Sequence, residues 1–261
     1  MAQMKKTTAK APAKETPTKK EPAKEAQAFK TAKPAPAPKK FKRAKPPPPA
    51  FKAAKKKAAV DPAVVEGIVA SMVPIPGKNY WMGKFQVTQA QWFAVTDENP
   101  SKFKGAEKPV ETVSWSDCQT FLKTLNAQPA AQASGLVFRL PEADEWEYAC
   151  RARAEGKYCK LADGTEITEA TLKKVAWFTD NSNGRTHPVG RKKPNAFGLY
   201  DMHGNVWEWT ATAEYGGGYH IIRGGGYIDA AGRCESSCRE SLRPCRYGDL
   251  GFRLCADRRA D

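Results

Sequence analysis

Seven cysteines are the residues of this chain with the widest chemical range, because thiols form disulfides, bind soft metals and act as nucleophiles. They are Cys118, Cys150, Cys159, Cys234, Cys238, Cys245 and Cys255. Their odd number and the lack of a secretory signal favour reduced thiols over a disulfide framework. The last three before Cys255 form a Cys-x3-Cys-x6-Cys run without a second close ligand pair or a nearby histidine, so they are a weak zinc motif. Cys118 and Cys150 fall on apolar helix faces, which is typical of core cysteines.

The cysteine run lies in a C-terminal segment, residues 223–254, that combines an ordered frame with chemically diverse positions. Arg223-Gly224-Gly225 and Leu250-Gly251-Phe252-Arg253-Leu254 form the ends of the frame, and Arg239 and Pro244 lie between them. The intervening positions show neither helical nor strand periodicity, so the sequence predicts a long structured loop. Long loops on rigid scaffolds are usually binding surfaces. The candidate ligand-binding residues are Tyr227, Asp229, Arg233, Cys238, Glu240, Ser241, Leu242, Arg243, Cys245, Tyr247 and Asp249.

Four sequence blocks precede this segment in a fixed order. They read MGKFQVTQ from Met82, PVETVSW from Pro109, FRLPEADEWEYA from Phe138 and GLYDMHGNVWEW from Gly198. With the C-terminal segment they resemble the formylglycine-generating, or sulfatase-modifying-factor, family over residues 75–254. The resemblance implies an α+β domain with the C-type lectin-like fold of the formylglycine-generating-enzyme type and much irregular loop structure. A shared fold does not by itself imply catalysis.

The catalytic residues of the resembled enzymes have no match in this chain. Those enzymes use two cysteines five positions apart to bind copper and activate oxygen, since thiolates suit Cu(I). Alignment on Arg239 and on the final Gly-Phe-Arg places that pair at Ala231 and Ser236, and neither residue is a thiol. Cys234 and Cys238 are spaced differently, and shifting the alignment onto them breaks the match at Arg239. The resemblance therefore implies no copper and no formylglycine-forming activity here.

Histidine chemistry is equally unsupported. His187, His203 and His220 do not form the His-x3-His-x-Glu iron motif of the related sulfoxide synthases. His187 and His203 lie inside structural blocks, and we expect them to be hydrogen-bonded scaffold residues.

The resemblance also implies a calcium site in the block that begins at Gly198. In the resembled enzymes this block holds Ca²⁺, and this chain keeps carboxylates at Asp201 and Glu208 and backbone carbonyls at Gly204 and Val206. Hard oxygen ligands of this kind suit Ca²⁺. The alternative is that the two carboxylates only cap loops. The family's other calcium site has no convincing match around residues 175–184.

A second group of proteins with this fold is similar to the C-terminal segment. These are the variable proteins of diversity-generating retroelements, whose lectin-like surface is diversified by adenine-directed mutagenesis of Asn codons. Changing the adenines of AAC yields Cys, Gly, Ser, Tyr, Asp, Leu or Arg. The positions of this chain drawn from that set are Cys238, Ser241, Leu242, Arg243, Cys245, Tyr247, Gly248 and Asp249.

Three functions follow as alternatives. The first is a noncatalytic protein that displays its C-terminal segment to a protein or cell-surface ligand, where Tyr, Arg and small polar side chains provide adaptable contacts. The second is an oxidoreductase of the formylglycine-generating type that acts on a protein cysteine through a relocated metal site near Cys234 and Cys238. The third is a structural protein that associates with polyanions through its basic tail.

The charge of the chain is concentrated at one end. Residues 1–58 use a Lys/Ala/Pro alphabet and account for the whole formal net charge of +15. This composition predicts a disordered tail, residues 1–58, before a folded domain, residues 59–261. Clustered lysines bind nucleic acid or an anionic surface, and a solubilising linker is the alternative. No apolar signal or membrane span is visible, which predicts a cytoplasmic product; non-classical export or a phage particle stay open.

The elements that must position the C-terminal segment are predicted to be short. Capping residues and apolar spacing indicate helices over residues 62–72, 89–95 and 116–126 and a further helix after Pro141. Strands are expected over residues 84–88, 206–210 and 251–255. The tryptophans should anchor the packing of an irregular domain.

Overall fold

The computed structural model describes residues 60–259, so the predicted tail over residues 1–58 lies outside the described residues. The helices of this part are α1 (Pro62–Ala70), α2 (Gln89–Thr96), α3 (Trp115–Asn126), α4 (Pro129–Ala133) and α5 (Ala143–Arg151). The strands are β1 (Met72–Pro74), β2 (Tyr80–Gln86), β3 (Leu136–Arg139), β4 (Ala176–Trp177), β5 (His203–Gly204), β6 (Trp207–Glu214), β7 (Tyr219–Arg223), β8 (Arg239–Leu242), β9 (Leu250–Gly251) and β10 (Arg253–Arg258). Short 3₁₀ turns occur at Glu169–Lys174, Tyr215–Gly217 and Ala231–Cys234.

The helices begin where capping chemistry predicts. At α3, the Ser114 hydroxyl accepts the Asp117 N–H at 3.2 Å, and the Asp117 carboxylate accepts the Ser114 N–H at 2.9 Å. This reciprocal cap satisfies two backbone donors that the first turn leaves unpaired. The inward face of this helix consists of Cys118, Phe121, Leu122 and Leu125, which are all buried.

Two four-stranded sheets organise residues 60–259. The first has the order β1-β2-β10-β3 with antiparallel pairing, so the last strand of the domain lies between strands from its first half. The second has the order β8-β7-β6-β9, with β9 parallel to β6. The predicted strand boundaries are shifted: β2 starts at Tyr80, and β6 runs on to Glu214. No helix in this part of the chain is long and apolar enough to cross a membrane.

Strand β8 corrects the prediction of a continuous loop over residues 227–249. Its backbone pairs with β7, with Arg239 opposite Arg223 and Leu242 opposite His220. The sequence did not reveal it because an edge strand needs no strict alternation of apolar and polar side chains when backbone pairing satisfies its N–H and C=O groups.

Tryptophans anchor the core, as predicted. Trp92 stacks on Phe121 with ring centroids 5.3 Å apart and meets Phe252 edge-on at 6.0 Å. Trp146 and Trp209 are fully buried, and the indole N–H of Trp209 donates to the Val113 carbonyl at 3.0 Å. Aromatic rings of this size supply much of the apolar area that an irregular domain can bury.

Candidate functional site

The backbone of the C-terminal segment is held from beneath by Arg223. This residue is 1% exposed, and its guanidinium donates to the carbonyls of Ser236, Ser237 and Cys238 at 3.4, 3.0 and 3.2 Å. It also pairs with Glu147 at 3.0 Å. The three carbonyls surround one nitrogen, Nη1, whose two N–H groups they share, while Nη2 faces Glu147.

The chain crosses closely over itself at the start of the segment. Gly225 has a φ of 76°, and a Cβ there would lie 2.6 Å from Cys234 Sγ and 2.9 Å from the Arg233 carbonyl oxygen. Only glycine fits this backbone conformation and this approach. The segment therefore begins at a fixed point.

The two positions that align with the family's catalytic cysteines are both buried. Ala231 is 9% exposed and Ser236 is 0% exposed. The Ser236 N–H donates to the Lys157 carbonyl at 2.7 Å, and its hydroxyl oxygen lies 3.5 Å from Cys150 Sγ. These side chains pack into the domain and present no thiol.

Part of the predicted surface is joined by a chain of polar contacts. The Trp207 indole N–H donates to Asp229 at 2.7 Å. Arg233 pairs with Asp229 at 2.8 Å and with Glu240 at 2.6 Å, and its guanidinium lies 5.3 Å from the centre of the Trp207 ring. The structure thus brings three predicted site residues, Asp229, Arg233 and Glu240, into direct contact across the segment.

The second half of the segment is tied down through its backbone and one arginine. The Tyr247 carbonyl accepts the Thr112 N–H at 3.0 Å, and Arg246 pairs with Asp117 at 2.6 Å. Arg243 projects instead toward Tyr219, with its Nε 3.0 Å from the phenol oxygen. The side chains of Leu242 and Tyr247 pack against the core, so the positions of this half that point away from it are few, and Arg243 is the exposed one among the predicted site residues.

The predicted site residues differ in exposure. Arg243 is exposed and Tyr227 is buried, while the half-buried ones are Asp229, Arg233, Cys238, Glu240, Ser241, Leu242, Cys245, Tyr247 and Asp249. The expectation that Tyr227 lies on the open face is wrong. Its ring is 6% exposed and packs edge-on against Phe103 at 5.4 Å. A large aromatic ring beside an apolar wall gains more from burial than from solvent contact.

Arg239 also departs from prediction, because it is exposed rather than part of the frame beneath the segment. It lies directly opposite Arg223 on the neighbouring strand. Like charges in opposed positions repel, and the buried position is taken by Arg223. Arg239 reaches the sheet edge and pairs there with Glu214 at 2.5 Å. The other predicted frame residues, Arg223, Phe252 and Arg253, are buried as expected.

Sequence reasoning missed an aromatic pair beside the segment. Tyr215 is 79% exposed, and its ring meets Tyr219 edge-on at 5.5 Å. Tyr219 in turn contacts Arg243. The signal was present in the sequence, because two tyrosines flank the run Gly216-Gly217-Gly218 between two strands, and exposed tyrosines are common in binding surfaces.

Asp249 makes the charge of this surface sensitive to pH. Burial, followed by the nearby charge of Asp229, raises its pKa to about 6, and the positive charge of Arg233 opposes this shift. Burial and the negative charge of Asp229 both disfavour the ionised carboxylate. The carboxyl of Asp249 therefore changes charge near neutral pH.

Two thiols of the segment, Cys234 and Cys238, are poor candidates for redox or metal chemistry. Burial raises the pKa of Cys234 well above its usual range, and burial together with Glu240 raises the pKa of Cys238. Thiols in such surroundings stay protonated and unreactive. All seven cysteines are free thiols, and within residues 60–259 no group of three or more His, Cys, Asp or Glu residues is placed to hold a metal ion.

The predicted calcium ligands surround an amide nitrogen. Gln86 Nε2 lies 3.3 Å from the carbonyl oxygens of Asp201 and Gly204, 3.0 Å from that of Val206 and 2.9 Å from Glu208 Oε1. We call these four oxygens the oxygen cage. The Asp201 carboxylate turns away and accepts the Gly190 N–H at 2.7 Å. With the amide at the centre, these residues do not fit a calcium ion, which needs oxygen ligands on all sides.

His187 and His203 are scaffold residues, as predicted. His203 is buried, with Nδ1 2.7 Å from the Cys234 carbonyl oxygen, and its Nε2 accepts the Cys159 N–H at 3.1 Å. Burial lowers its pKa to about 4, so the ring is neutral near pH 7. His187 stacks on Trp177 with centroids 3.8 Å apart. Both imidazoles are committed to structural contacts.

Known proteins share this architecture. The chain is similar to Treponema denticola variable protein 1, with a TM-score of 0.59 and 28% identity over 72% of this chain and 91% of that chain. It is also similar to PvdO from Pseudomonas aeruginosa, with a TM-score of 0.56 and 25% identity over 68% and 80% of the two chains. The α+β fold of the formylglycine-generating-enzyme type is thereby confirmed.

The sequence relatives include proteins named as formylglycine-generating enzymes and proteins named as inactive forms of that enzyme. The chain is 30% identical to inactive C-alpha-formylglycine-generating enzyme 2 of Mus musculus over 70% of this chain and 58% of that protein. It is 29% identical to chaperone protein LppX of Paenibacillus barcinonensis over 61% of this chain and 73% of that protein. The chain thus spans little more than half the length of the mouse relative. Residues 66–258 match the model of the sulfatase-modifying factor enzyme 1-like domain, and because this match covers most of the chain, the protein belongs to that family.

Proposed function

We propose that this protein is a noncatalytic binding protein that presents residues 227–249, the recognition segment, to a protein or cell-surface ligand. The observation that carries the proposal is the separation of backbone and side chains in this segment. Buried Arg223 fixes three of its carbonyls, and the Tyr247 carbonyl is bonded to Thr112. Most of the predicted contact side chains are partly open to solvent above this support.

The composition of the surface favours a protein partner. Arg243 lies against Tyr219, with the guanidinium 5.5 Å from the ring centre, and Tyr215 is 79% exposed. Tyr and Arg are enriched among residues that dominate binding energies, because they combine large contact area with hydrogen bonding. The likeness to a Treponema denticola variable protein supports assigning this chain to the variable proteins of diversity-generating retroelements.

Formylglycine formation is the competing function, and the local chemistry argues against it. Ala231 and Ser236 stand at the catalytic positions and are buried, and the nearby thiols of Cys234 and Cys238 have raised pKa values. Copper and oxygen chemistry of this class requires accessible thiolates. Incubating copper-loaded protein with a sulfatase-type cysteine peptide should therefore leave the peptide mass unchanged. A formylglycine product that is lost in Cys234→Ala or Cys238→Ala would contradict the proposal.

Binding is tested with a variant of the recognition segment. Arg243 and Cys245 are replaced together, and wild type and variant are screened against an array of purified cell-surface proteins. We expect binding by wild type that the variant loses, with a melting temperature within a few degrees because surface changes cost little. The control is Phe93→Ser, which alters an exposed side chain on α2, outside the segment, that is 52% exposed. Binding that survives in the segment variant but not in the control would place recognition elsewhere.

A further inference from the structure

The backbone around the oxygen cage is arranged so that its carbonyls converge. Asp201, Gly204 and Asn205 have φ values of 55°, 81° and 65°, which turn successive peptide groups out of their usual directions. At Gly204 a Cβ would lie 2.2 Å from the Trp177 carbonyl oxygen. Left-handed backbone at non-glycine residues is costly and persists only where the surroundings hold it. A convergent ring of acceptors of this kind needs a donor or a cation at its centre.

The negative charge of Glu208, the one carboxylate that supplies a cage oxygen, is already balanced by Arg253. Arg253 donates to both oxygens of Glu208, at 2.6 and 2.8 Å, and the Trp146 indole N–H donates to Oε2 at 2.6 Å. Both partners of this ion pair are 0% exposed. A divalent cation added to a neutral, dry pair would introduce two positive charges with only the Asp201 carboxylate nearby to offset them. Uncompensated charge in such a place is strongly unfavourable.

Gln86 supplies hydrogen-bond donors to the converging cage oxygens without adding a charge. It is 1% exposed, and its Nε2 lies within 3.3 Å of all four cage oxygens. A neutral amide contributes two N–H donors, which neighbouring acceptors can share. Its other end is less well satisfied, because Gln86 Oε1 is a buried acceptor without a partner among residues 60–259.

We propose that the Gln86 amide occupies the position of a structural cation, so that this domain is stable without calcium, and that Gln86→Glu converts the cage into a Ca²⁺ site. The substitution replaces the amide donor by a carboxylate oxygen and adds one negative charge. The cage then holds carbonyl and carboxylate oxygens, which are the ligands Ca²⁺ takes at about 2.3–2.6 Å. With Glu208, Asp201 and the new carboxylate set against Arg253, the bound ion leaves the site formally neutral.

The test compares thermal unfolding in EGTA and in excess Ca²⁺. The wild-type melting temperature should be the same in both. Gln86→Glu should melt well below wild type in EGTA, because three carboxylates then share one arginine, and should recover most of the loss in Ca²⁺ by linkage. Isothermal titration calorimetry of Gln86→Glu with Ca²⁺ should show one site, and wild type should show none.

The matched control is Gln89→Glu. Gln89 is also 1% exposed, and its Nε2 donates to the carbonyls of Phe103 and Pro109 at 2.9 and 3.2 Å, so the change again buries a carboxylate among carbonyls. It lacks the cage, and we expect destabilisation that Ca²⁺ does not relieve. A calcium-induced rise in the wild-type melting temperature would overturn the proposal. An equal response of Gln86→Glu and Gln89→Glu to Ca²⁺, including no recovery of either, would also overturn it.

Discussion

The recognition segment and the surroundings of the oxygen cage both contain ion pairs, but the pairs differ in how far they are buried. In the cage, Glu208 and Arg253 are 0% exposed, and hydrogen bonds fix the pair from several directions. In the segment, Arg233 is 39% exposed and bridges Asp229 and Glu240. Buried ionic groups must be completely paired, whereas partly exposed ones tolerate substitution because water replaces a lost partner. One region can therefore vary while the other cannot.

The largest effect should come from breaking the buried ion pair. Arg253→Met removes the charge that balances Glu208, and we expect a loss of about 3–5 kcal/mol in the free energy of unfolding, because an unpaired buried carboxylate remains. Urea denaturation measures it. The double variant Arg253→Met with Glu208→Gln should recover part of the loss. If the double variant is less stable than Arg253→Met, the unpaired Glu208 carboxylate is not the main cause of the stability loss.

Arg223 and Arg239, which lie opposite each other on β7 and β8, should contribute unequally to the free energy of unfolding. Arg223→Met removes donors to three carbonyls and the pairing with Glu147, and we expect a loss of about 2–4 kcal/mol. Arg239→Met removes only a surface pair with Glu214, and we expect about 0–1 kcal/mol. Denaturant midpoints of the two variants provide the comparison. Equal losses would mean that burial does not distinguish these positions.

Asp249 should give the recognition segment a pH dependence. Because its pKa is raised to about 6 in the folded state, from about 3.9 in the unfolded state, the folded state binds the proton more tightly. Its contribution to stability is full below about pH 4 and is lost as pH rises through about 6. Asp249→Asn should therefore gain on the order of 2 kcal/mol over wild type between pH 4 and pH 7.5. Parallel melting-temperature curves for the two proteins would contradict this.

A small effect on stability should come from the bridge that Arg233 forms within the segment. Arg233→Ala breaks contacts to Asp229 and Glu240 and the stacking on Trp207. Partly exposed pairs are weak, so we expect about 1 kcal/mol in unfolding free energy. The same variant should lose at least several-fold in ligand affinity, measured by titration against a partner from the binding screen. Unchanged affinity would remove Arg233 from the contact surface.

Much of this protein followed from its sequence. The ordered blocks identified the family, and capping residues with apolar spacing located α3 to within one residue. The residue types at Ala231 and Ser236 showed that the enzymes' thiols are absent. Those features are local or compositional, so they can be read without knowing which distant residues meet. The sequence also indicated that Arg223, Phe252 and Arg253 support the recognition segment, since they belong to the frame at its two ends.

Only the tertiary structure decided the rest. Strand β8 exists because β7 offers an unpaired edge, Tyr227 is buried because Phe103 lies beside it, and Arg239 is exposed because Arg223 already holds the buried position. Gln86 reaches the oxygen cage across more than a hundred residues of chain. The amino-acid types determined which groups could pair, but long-range packing chose the partner of each, because the strength of a hydrogen bond or ion pair depends on which distant segment excludes water from it.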